Sequence, residues 1–359
     1  MIPVTKPFLP PKEDVYNLLN GVWQRQWLTN NGPLVNELEE KLKEYLDVPN
    51  ILYLNNGTIA LQIAIKALDL KGEIITTPFS YVATTSSIVW EGCQPIFVDI
   101  DPDTFNIDPA KIEASITGKT SAILATHVFG NPCDIDAIDV IAKKHNLKVI
   151  YDAAHCFGSK YKGKSVFAYG DISTTSFHAT KLFHTVEGGA VFCSANELNE
   201  KMAFLRNFGH NGPENFAIVG INGKNSEFHA AMGLANLKYI NQILVQRKAI
   251  CEHYDELLKE SNLFFQGITS QGSFNFAYYP VVFNKRETML NVIKALGINS
   301  VTPRRYFYPS LNTIDFFNNG FCPVSEDISS RILCLPLYHT LTHEDVELIS
   351  GIVLREIRQ

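Results

Sequence analysis

A chain of 359 residues is long enough to bury a large core and to fold as more than one unit. Apolar residues make up 46% and charged residues 19%, an ordinary globular balance, and a net charge of −6 excludes a general attraction to nucleic acid. No stretch of about 18 apolar residues is present, so no membrane span is expected. The start, MIPVTKPFLPPKED, lacks the basic-then-apolar pattern of a secretory signal. Seven scattered cysteines form no C-x-x-C pair, which points to reduced thiols of a cytoplasmic protein and to no metal site.

In chain order, the first 30 residues, with three prolines before residue 11, read as an extended arm. Ile51–Leu54 then reads as a strand and Gly57–Leu68 as a helix with apolar residues at 61, 64, 65 and 68. Further strands are expected at Glu73–Thr77, Pro95–Asp99, Ser121–Thr126, Leu147–Asp152, Asp171–Phe177 and Gly189–Cys193, with helices near 82–91, 109–115 and 134–145. This alternation predicts a mostly parallel sheet covered on both faces. Segment 226–260 reads as one long amphipathic helical stretch, followed by strands near 275–282 and helices near 286–296 and 342–357. The pattern divides the chain into a large unit, 1–235, and a smaller α+β unit, 236–359.

Ligands of open α/β sheets bind beyond the carboxyl ends of the strands. Three features lie there. Asn55-Asn56-Gly57-Thr58 leads from a strand into a helix start, where free N–H groups and the helix dipole favour an anion, although such a turn read alone is as well explained by capping. Val149-Ile150-Tyr151-Asp152 delivers a carboxylate at a strand end, suited to the protonated nitrogen of a pyridine ring but also to a helix cap or a metal. Ser173 through Lys181 runs into a polar turn, followed by Glu187-Gly188-Gly189. It presents hydroxyls for a phosphate and a lysine for a Schiff base, or else forms a surface loop with a solvated lysine. Together the three supply a phosphate turn, a ring-nitrogen partner and a reactive amine, in the order found in aspartate aminotransferase-like pyridoxal-phosphate enzymes.

A narrower resemblance covers nearly the whole chain. The markers are Ile2-Pro3-Val4, Asn56-Gly57-Thr58, Pro78-Phe79-Ser80-Tyr81-Val82-Ala83, His127-Val128-Phe129-Gly130 and Asp152-Ala153-Ala154-His155. They continue with Ser176 through Lys181, Glu187-Gly188-Gly189-Ala190, Arg206-Asn207-Phe208-Gly209-His210 and Glu227-Phe228-His229-Ala230-Ala231-Met232-Gly233. With these the chain resembles the sugar aminotransferases of the DegT/DnrJ/EryC1/StrS family. The resemblance implies an α/β, aspartate aminotransferase-like fold: a large domain with a mostly parallel seven-stranded mixed sheet between helices, plus a small C-terminal α+β domain. It implies pyridoxal 5′-phosphate, with pyridoxamine 5′-phosphate as the alternate form. Lys181 would carry the aldehyde and move the substrate proton, and Asp152 would pair with the ring nitrogen. Tyr81 would stack on the ring, and His155 would bond the ring hydroxyl. Ser176 with the Gly57 and Thr58 backbone would hold the phosphate. Asn222 would reach the phosphate of the other subunit, which implies a homodimer with shared sites. The family often shows Asn-Tyr-Arg where this chain has Asn222-Gly223-Lys224, a departure that bears on that last role.

Retention of Lys181, where some branches carry His, favours transamination over dehydration. The segment Thr302 through Leu311 resembles that of enzymes acting on dTDP-4-keto-6-deoxyglucose, and makes Arg304, Arg305 and Tyr308, with His178, the candidates for substrate contact. The implied reaction takes an amine from L-glutamate and gives it to a nucleotide-linked keto-sugar, yielding a dTDP-4-amino-4,6-dideoxyhexose for deoxyamino-sugar biosynthesis. A 3-keto or UDP-linked sugar, a lyase acting on amino acids alone, and a non-catalytic cofactor-binding relative are the alternatives. His184 is read equally as a site-edge or a packing residue.

Overall fold

The computed structural model describes residues 1–317 and 320–358. Its centre is a seven-stranded sheet. The spatial order is Asn50–Leu54, Gly189–Cys193, Ile172–Ser176, Lys148–Asp152, Thr120–Thr126, Glu73–Thr76 and Gln94–Phe97. Every neighbouring pair is parallel except those made by Gly189–Cys193, which runs antiparallel to both its partners. All seven strands lie where the sequence predicts them; most carry apolar runs, whereas Ile172–Ser176 is largely buried although it reads ISTTS. Those runs are nearly continuous because both faces are covered. Successive residues serve opposite faces: Ile51, Tyr53, Ile123, Val149 and Tyr151 join one apolar cluster, and Leu52, Leu54, Leu124 and Ile150 join another. The first face packs on helices Pro33–Leu46, Ile135–His145 and Glu227–Leu237, the second on Gly57–Ala67 and Asn196–Arg206.

Two expectations are corrected. The arm is extended only to Pro11; Lys12–Arg25 is a helix. Its start is favoured by Glu13 and Asp14 in the first turn, and Leu18, Leu19 and Val22 bring one side against the core. The helical stretch 226–260 is two helices, Glu227–Leu237 and Ile240–Leu258, interrupted at Lys238 and Tyr239. The second helix bridges two cores. Ile240 belongs to the first cluster, whereas Ile250, Cys251, Tyr254 and Leu258 belong to a separate cluster built from later residues. That later cluster covers a three-stranded antiparallel sheet of Phe264–Phe265, Tyr279–Val282 and Ile332–Leu335, with helices Arg286–Ile298 and His343–Ile357. The chain start returns to this region, since Ile2–Pro3 pairs in parallel with Val301–Thr302. Among the described residues no helix is long and apolar enough to cross a membrane.

One buried carboxylate ties the first two helices to helix Glu227–Leu237. Glu227, fully buried, accepts from the Leu34 and Val35 amides at 3.0 and 2.9 Å and lies 3.7 Å from the Arg25 guanidinium. It supplies to helix Pro33–Leu46 the N-terminal acceptors that the chain's own Gly32 cannot. Glu227→Ala strands two buried amides and should cost about 3 kcal/mol in urea unfolding. Glu227→Gln, which keeps one acceptor, should cost clearly less; equal losses would show that packing, not capping, dominates.

Candidate active site

The carboxyl ends of the central strands open into a cavity of about 340 Å³, lined from the sheet side by Asp152, Thr174 and Ser176 and from the later core by Tyr278, Arg304 and Phe307. The volume suits a small-molecule site. Asp152 ends a strand flanked on both sides, so its carboxylate is 6% exposed. Its Oδ2 accepts from the Thr84 hydroxyl at 2.6 Å and its Oδ1 from the Ala154 amide at 3.1 Å. Burial pushes the carboxyl pKa up, while the Thr84 hydroxyl, the Ala154 amide and the Lys181 charge pull it down. A buried carboxylate with lone pairs to spare is built to meet a cation.

The helix Gly57–Ala67 points its N-terminus at the same space. Asn56 caps it, its side chain accepting from the Ile59 amide at 2.8 Å, which leaves the first amides for another acceptor. Ser176 stands against this end. A Cβ on Gly57 would lie 2.9 Å from the Ser176 Cβ, so only glycine lets the helix start meet the strand end. Gly189 is required for a related reason: a Cβ there would strike the Asn56 carbonyl at 2.5 Å. The resulting cradle of amides and hydroxyl is chemically an anion site.

The turn that carries Lys181 is anchored rather than loose. The Phe177 amide donates to Gly188 O at 2.7 Å, the Thr185 amide to Phe177 O at 2.9 Å, and the Lys181 amide to His178 O at 2.8 Å. Phe177 and Phe183 are buried against Phe157 beneath it, the Phe157 and Phe183 rings stacked at 4.4 Å. The surface-loop alternative therefore does not describe this segment. Lys181 lines the cavity, and burial lowers its amine to about 8, against the opposing pull of Asp152. A lysine near that value supplies free amine at neutral pH.

The remaining candidates separate cleanly. Tyr81 lines the cavity with 59% of its surface exposed, so one ring face is free for a flat ligand. His155 is buried, lies nearly parallel to Phe307 at 5.7 Å, and keeps its Nδ1 without a hydrogen-bond partner among the described residues. Burial drives its pKa well down, so the ring is neutral. His178 also lines the cavity. Its Nδ1 accepts from the Thr180 amide at 3.2 Å, which directs the Nε2 proton toward Glu187 at 3.5 Å.

Arg304 lines the cavity, whereas Arg305 and Tyr308 do not. The backbone of Arg304 bridges Cys334 in an extended segment, where adjacent side chains point to opposite sides. Arg305 accordingly turns onto the Tyr308 ring, 3.4 Å from its centroid, and donates to Ser330 O at 3.0 Å. Asn222 does not line this chain's cavity; its backbone carbonyl accepts from the Asn55 side chain at 3.3 Å and its Oδ1 accepts from Lys224. His184 is a packing residue: it donates from Nε2 to Phe8 O at 2.7 Å and accepts at Nδ1 from the Val186 amide. Thr84 and Tyr278 line the site without having been singled out, and Ser80 and Glu187 line it after being quoted only as motif members; no spacing rule marks a hydroxyl or ring that becomes a neighbour only through folding.

A buried strand-end carboxylate, an anion cradle and a depressed-pKa lysine around one cavity are the parts that a pyridoxal-phosphate site requires. Three features fit that cofactor: the glycine-lined cradle fits the phosphate, the Asp152 carboxylate the ring nitrogen, and the orphaned Nδ1 of His155 a ring substituent. The comparisons agree, and the chain belongs to the DegT/DnrJ/EryC1/StrS aminotransferase family, whose model matches residues 11–354. A dTDP-4-amino-4,6-dideoxy-D-glucose transaminase of Shigella dysenteriae is 45% identical over 99% of this chain and 98% of its own. The structure of DesI in the presence of its TDP-sugar product superposes with a TM-score of 0.94 at 31% identity, covering 99% of this chain and 93% of that one. A protein of Streptococcus pneumoniae solved in its PLP-form is 26% identical, with a TM-score of 0.90 over 99% of both chains.

Proposed function

We propose that the protein transfers the amino group of L-glutamate to dTDP-4-keto-6-deoxy-D-glucose, giving a dTDP-4-amino-4,6-dideoxyhexose. The observation that carries the reaction type is Lys181, a lysine lowered to about 8 facing the buried Asp152 across one cavity. The sugar rests on likeness: the Shigella relative, named for this aminodideoxyglucose, is 45% identical over nearly the full length.

Pyridoxal 5′-phosphate, when bound, supplies an electron sink for the substrate carbanion. Asp152 holds a negative charge against the ring nitrogen and so keeps a proton there. The Gly57 and Thr58 amides with Ser176 bind the phosphate, Tyr81 covers the ring face, and His155 bonds the ring hydroxyl. Lys181 Nζ would hold the cofactor aldehyde, and as a free amine it would take the α-proton of the donor and return a proton to the sugar carbon, fixing the configuration there. His178 and Arg304 contact the substrate, Arg304 offering its guanidinium to the diphosphate. Donor and acceptor use one site in turn, so ping-pong kinetics are expected.

The working form is a homodimer in which Asn222 completes the partner's phosphate site. In support, Asn222 lies in a segment that exposes Phe216 and Val219, 65% and 82% exposed in the single chain. The division into units 1–235 and 236–359 is likewise proposed, on the separate apolar cluster of the later residues.

The test is incubation with L-glutamate and a panel of dTDP-, UDP- and GDP-linked 4-keto and 3-keto sugars, with mass spectrometry of the products. Replacement of the ketone oxygen by an amino group in dTDP-4-keto-6-deoxy-D-glucose, with release of 2-oxoglutarate, is the expected result. Amination of another panel member alone overturns the sugar but keeps the reaction. Breakdown of an amino acid without any aminated sugar overturns transamination itself.

A further inference from the structure

Behind Asp152 runs a line of three hydroxyls that no motif identifies. Thr84 Oγ1 lies 2.6 Å from Asp152 Oδ2, Ser80 Oγ lies 2.7 Å from Thr84 Oγ1, and Thr126 Oγ1 donates to Ser80 Oγ at 3.1 Å. All are buried, with exposures of 0% for Thr84, 2% for Ser80 and 4% for Thr126. They come from separate places: Thr84 from the first turn of helix Val82–Trp90, Ser80 from the turn before it, and Thr126 from the end of strand Thr120–Thr126.

The direction of this line is decided by counting protons. Each hydroxyl has one to give. With Asp152 ionised, Thr84 donates to it, Ser80 donates to Thr84 and Thr126 donates to Ser80, so every proton has an acceptor. With Asp152 protonated and donating to Thr84, Thr84 turns to Ser80. Ser80 then receives from both sides, and its own proton has no acceptor within the line. With the carboxylate ionised, all three O–H dipoles align toward it and strengthen one another, whereas a proton on Oδ2 would reverse the line and leave one buried donor without an acceptor in it. The line also occupies Oδ2 from the side of Thr84, while the Ala154 amide takes Oδ1 at 3.1 Å. The carboxylate plane is thereby fixed.

We propose that Thr84, backed by Ser80 and Thr126, is a positioning residue that keeps Asp152 ionised and oriented toward the cofactor ring nitrogen. This rests on the pyridoxal-phosphate reading above. Burial raises the Asp152 pKa, and the Thr84 hydroxyl is the largest influence opposing that rise. Lys181 and Cys156 are the other titratable groups that act with Asp152, and neither is altered in the variants below.

The experiment compares wild type with Thr84→Val, Thr84→Ser and Ser80→Ala. It measures kcat, the affinity of apoprotein for added pyridoxal 5′-phosphate, and the pH midpoint of the bound cofactor's visible absorbance. Thr84→Val, nearly the same shape without a donor, should lower kcat by about 10- to 100-fold, weaken cofactor affinity about tenfold and move the midpoint upward. Thr84→Ser should recover most of the loss. Ser80→Ala, one bond further from the carboxylate, should move the same readouts in the same direction by less. A wild-type midpoint in Thr84→Val, equal damage in Thr84→Ser, or no shift in Ser80→Ala would overturn the proposal. Failure of the wild-type protein to bind the cofactor would instead overturn the reading on which it rests.

Discussion

Lys181→Ala is expected to lower turnover by more than about 10⁴-fold, because in the proposed mechanism one amine both links to the cofactor and moves the proton in each half-reaction. The visible absorbance of the linked cofactor should vanish with it. Lys181→Arg should do no better. Its guanidinium keeps a positive charge and cannot become neutral, so it serves neither as nucleophile nor as base. The wild-type amine is set by its surroundings: burial lowers it from 10.5 to about 8. At pH 7 roughly a tenth of it is therefore neutral, where an ordinary lysine would offer less than about one part in a thousand. The neutral form is the one that reacts. The rate at which apoprotein takes up pyridoxal 5′-phosphate should accordingly rise with pH, pass an inflection near 8 and then level off. Stopped-flow absorbance on both sides of that pH tests it. A rate still climbing steeply well above 8 would mean that Lys181 is solvated like a surface lysine. Residual turnover in Lys181→Ala would remove the central assignment.

Asp152→Asn carries the second large expected effect. The substitution keeps size and shape but removes the charge that holds a proton on the ring nitrogen. It also reverses one hydrogen bond, because an amide nitrogen cannot accept from Thr84 Oγ1. A fall of about 10²- to 10³-fold in kcat is expected in both half-reactions, as for removal of other preorganised electrostatic groups. Folding should not suffer in the same way. Burial disfavours the ionised carboxyl in the apoprotein, its pKa being raised above the usual value. A neutral side chain escapes that penalty, so the apoprotein's denaturation midpoint should hold. Single-turnover rates with glutamate and with keto-sugar, measured beside apoprotein unfolding, separate the two effects. Parallel loss of stability and rate would reassign Asp152 as a structural group. An effect confined to the sugar half-reaction would place it at the substrate instead of the ring.

Much of the fold is legible in the chain because it depends on near neighbours. Strands buried on both faces favour apolar runs, and most of the central sheet announces itself so, from Ile51–Leu54 to Gly189–Cys193, with the hydroxyl-rich Ile172–Ser176 as the exception. Asp152 and Gly57 are legible for the same reason: each sits where a strand run stops. Helix Lys12–Arg25 was masked by the prolines before it, although Leu18, Leu19 and Val22 carry its apolar side. The break at Lys238 and Tyr239 was masked in the opposite sense, since a helical period continues across it.

The order of phosphate turn, strand-end carboxylate and lysine thus belongs to the sequence by itself, as does the choice of Lys181 as the reactive amine. Each is a local pattern, and local patterns survive without coordinates. Tertiary structure alone decided which of two adjacent arginines meets the cavity, since an extended backbone sends Arg304 and Arg305 to opposite sides and only the pairing with Cys334 says which side is inward. It alone brought Glu227 to the amides of Leu34 and Val35. It alone lined up Thr126, Ser80 and Thr84 behind Asp152. A hydrogen bond is set by a few tenths of an ångström and an angle, and between residues this far apart in the chain only the packed fold supplies either.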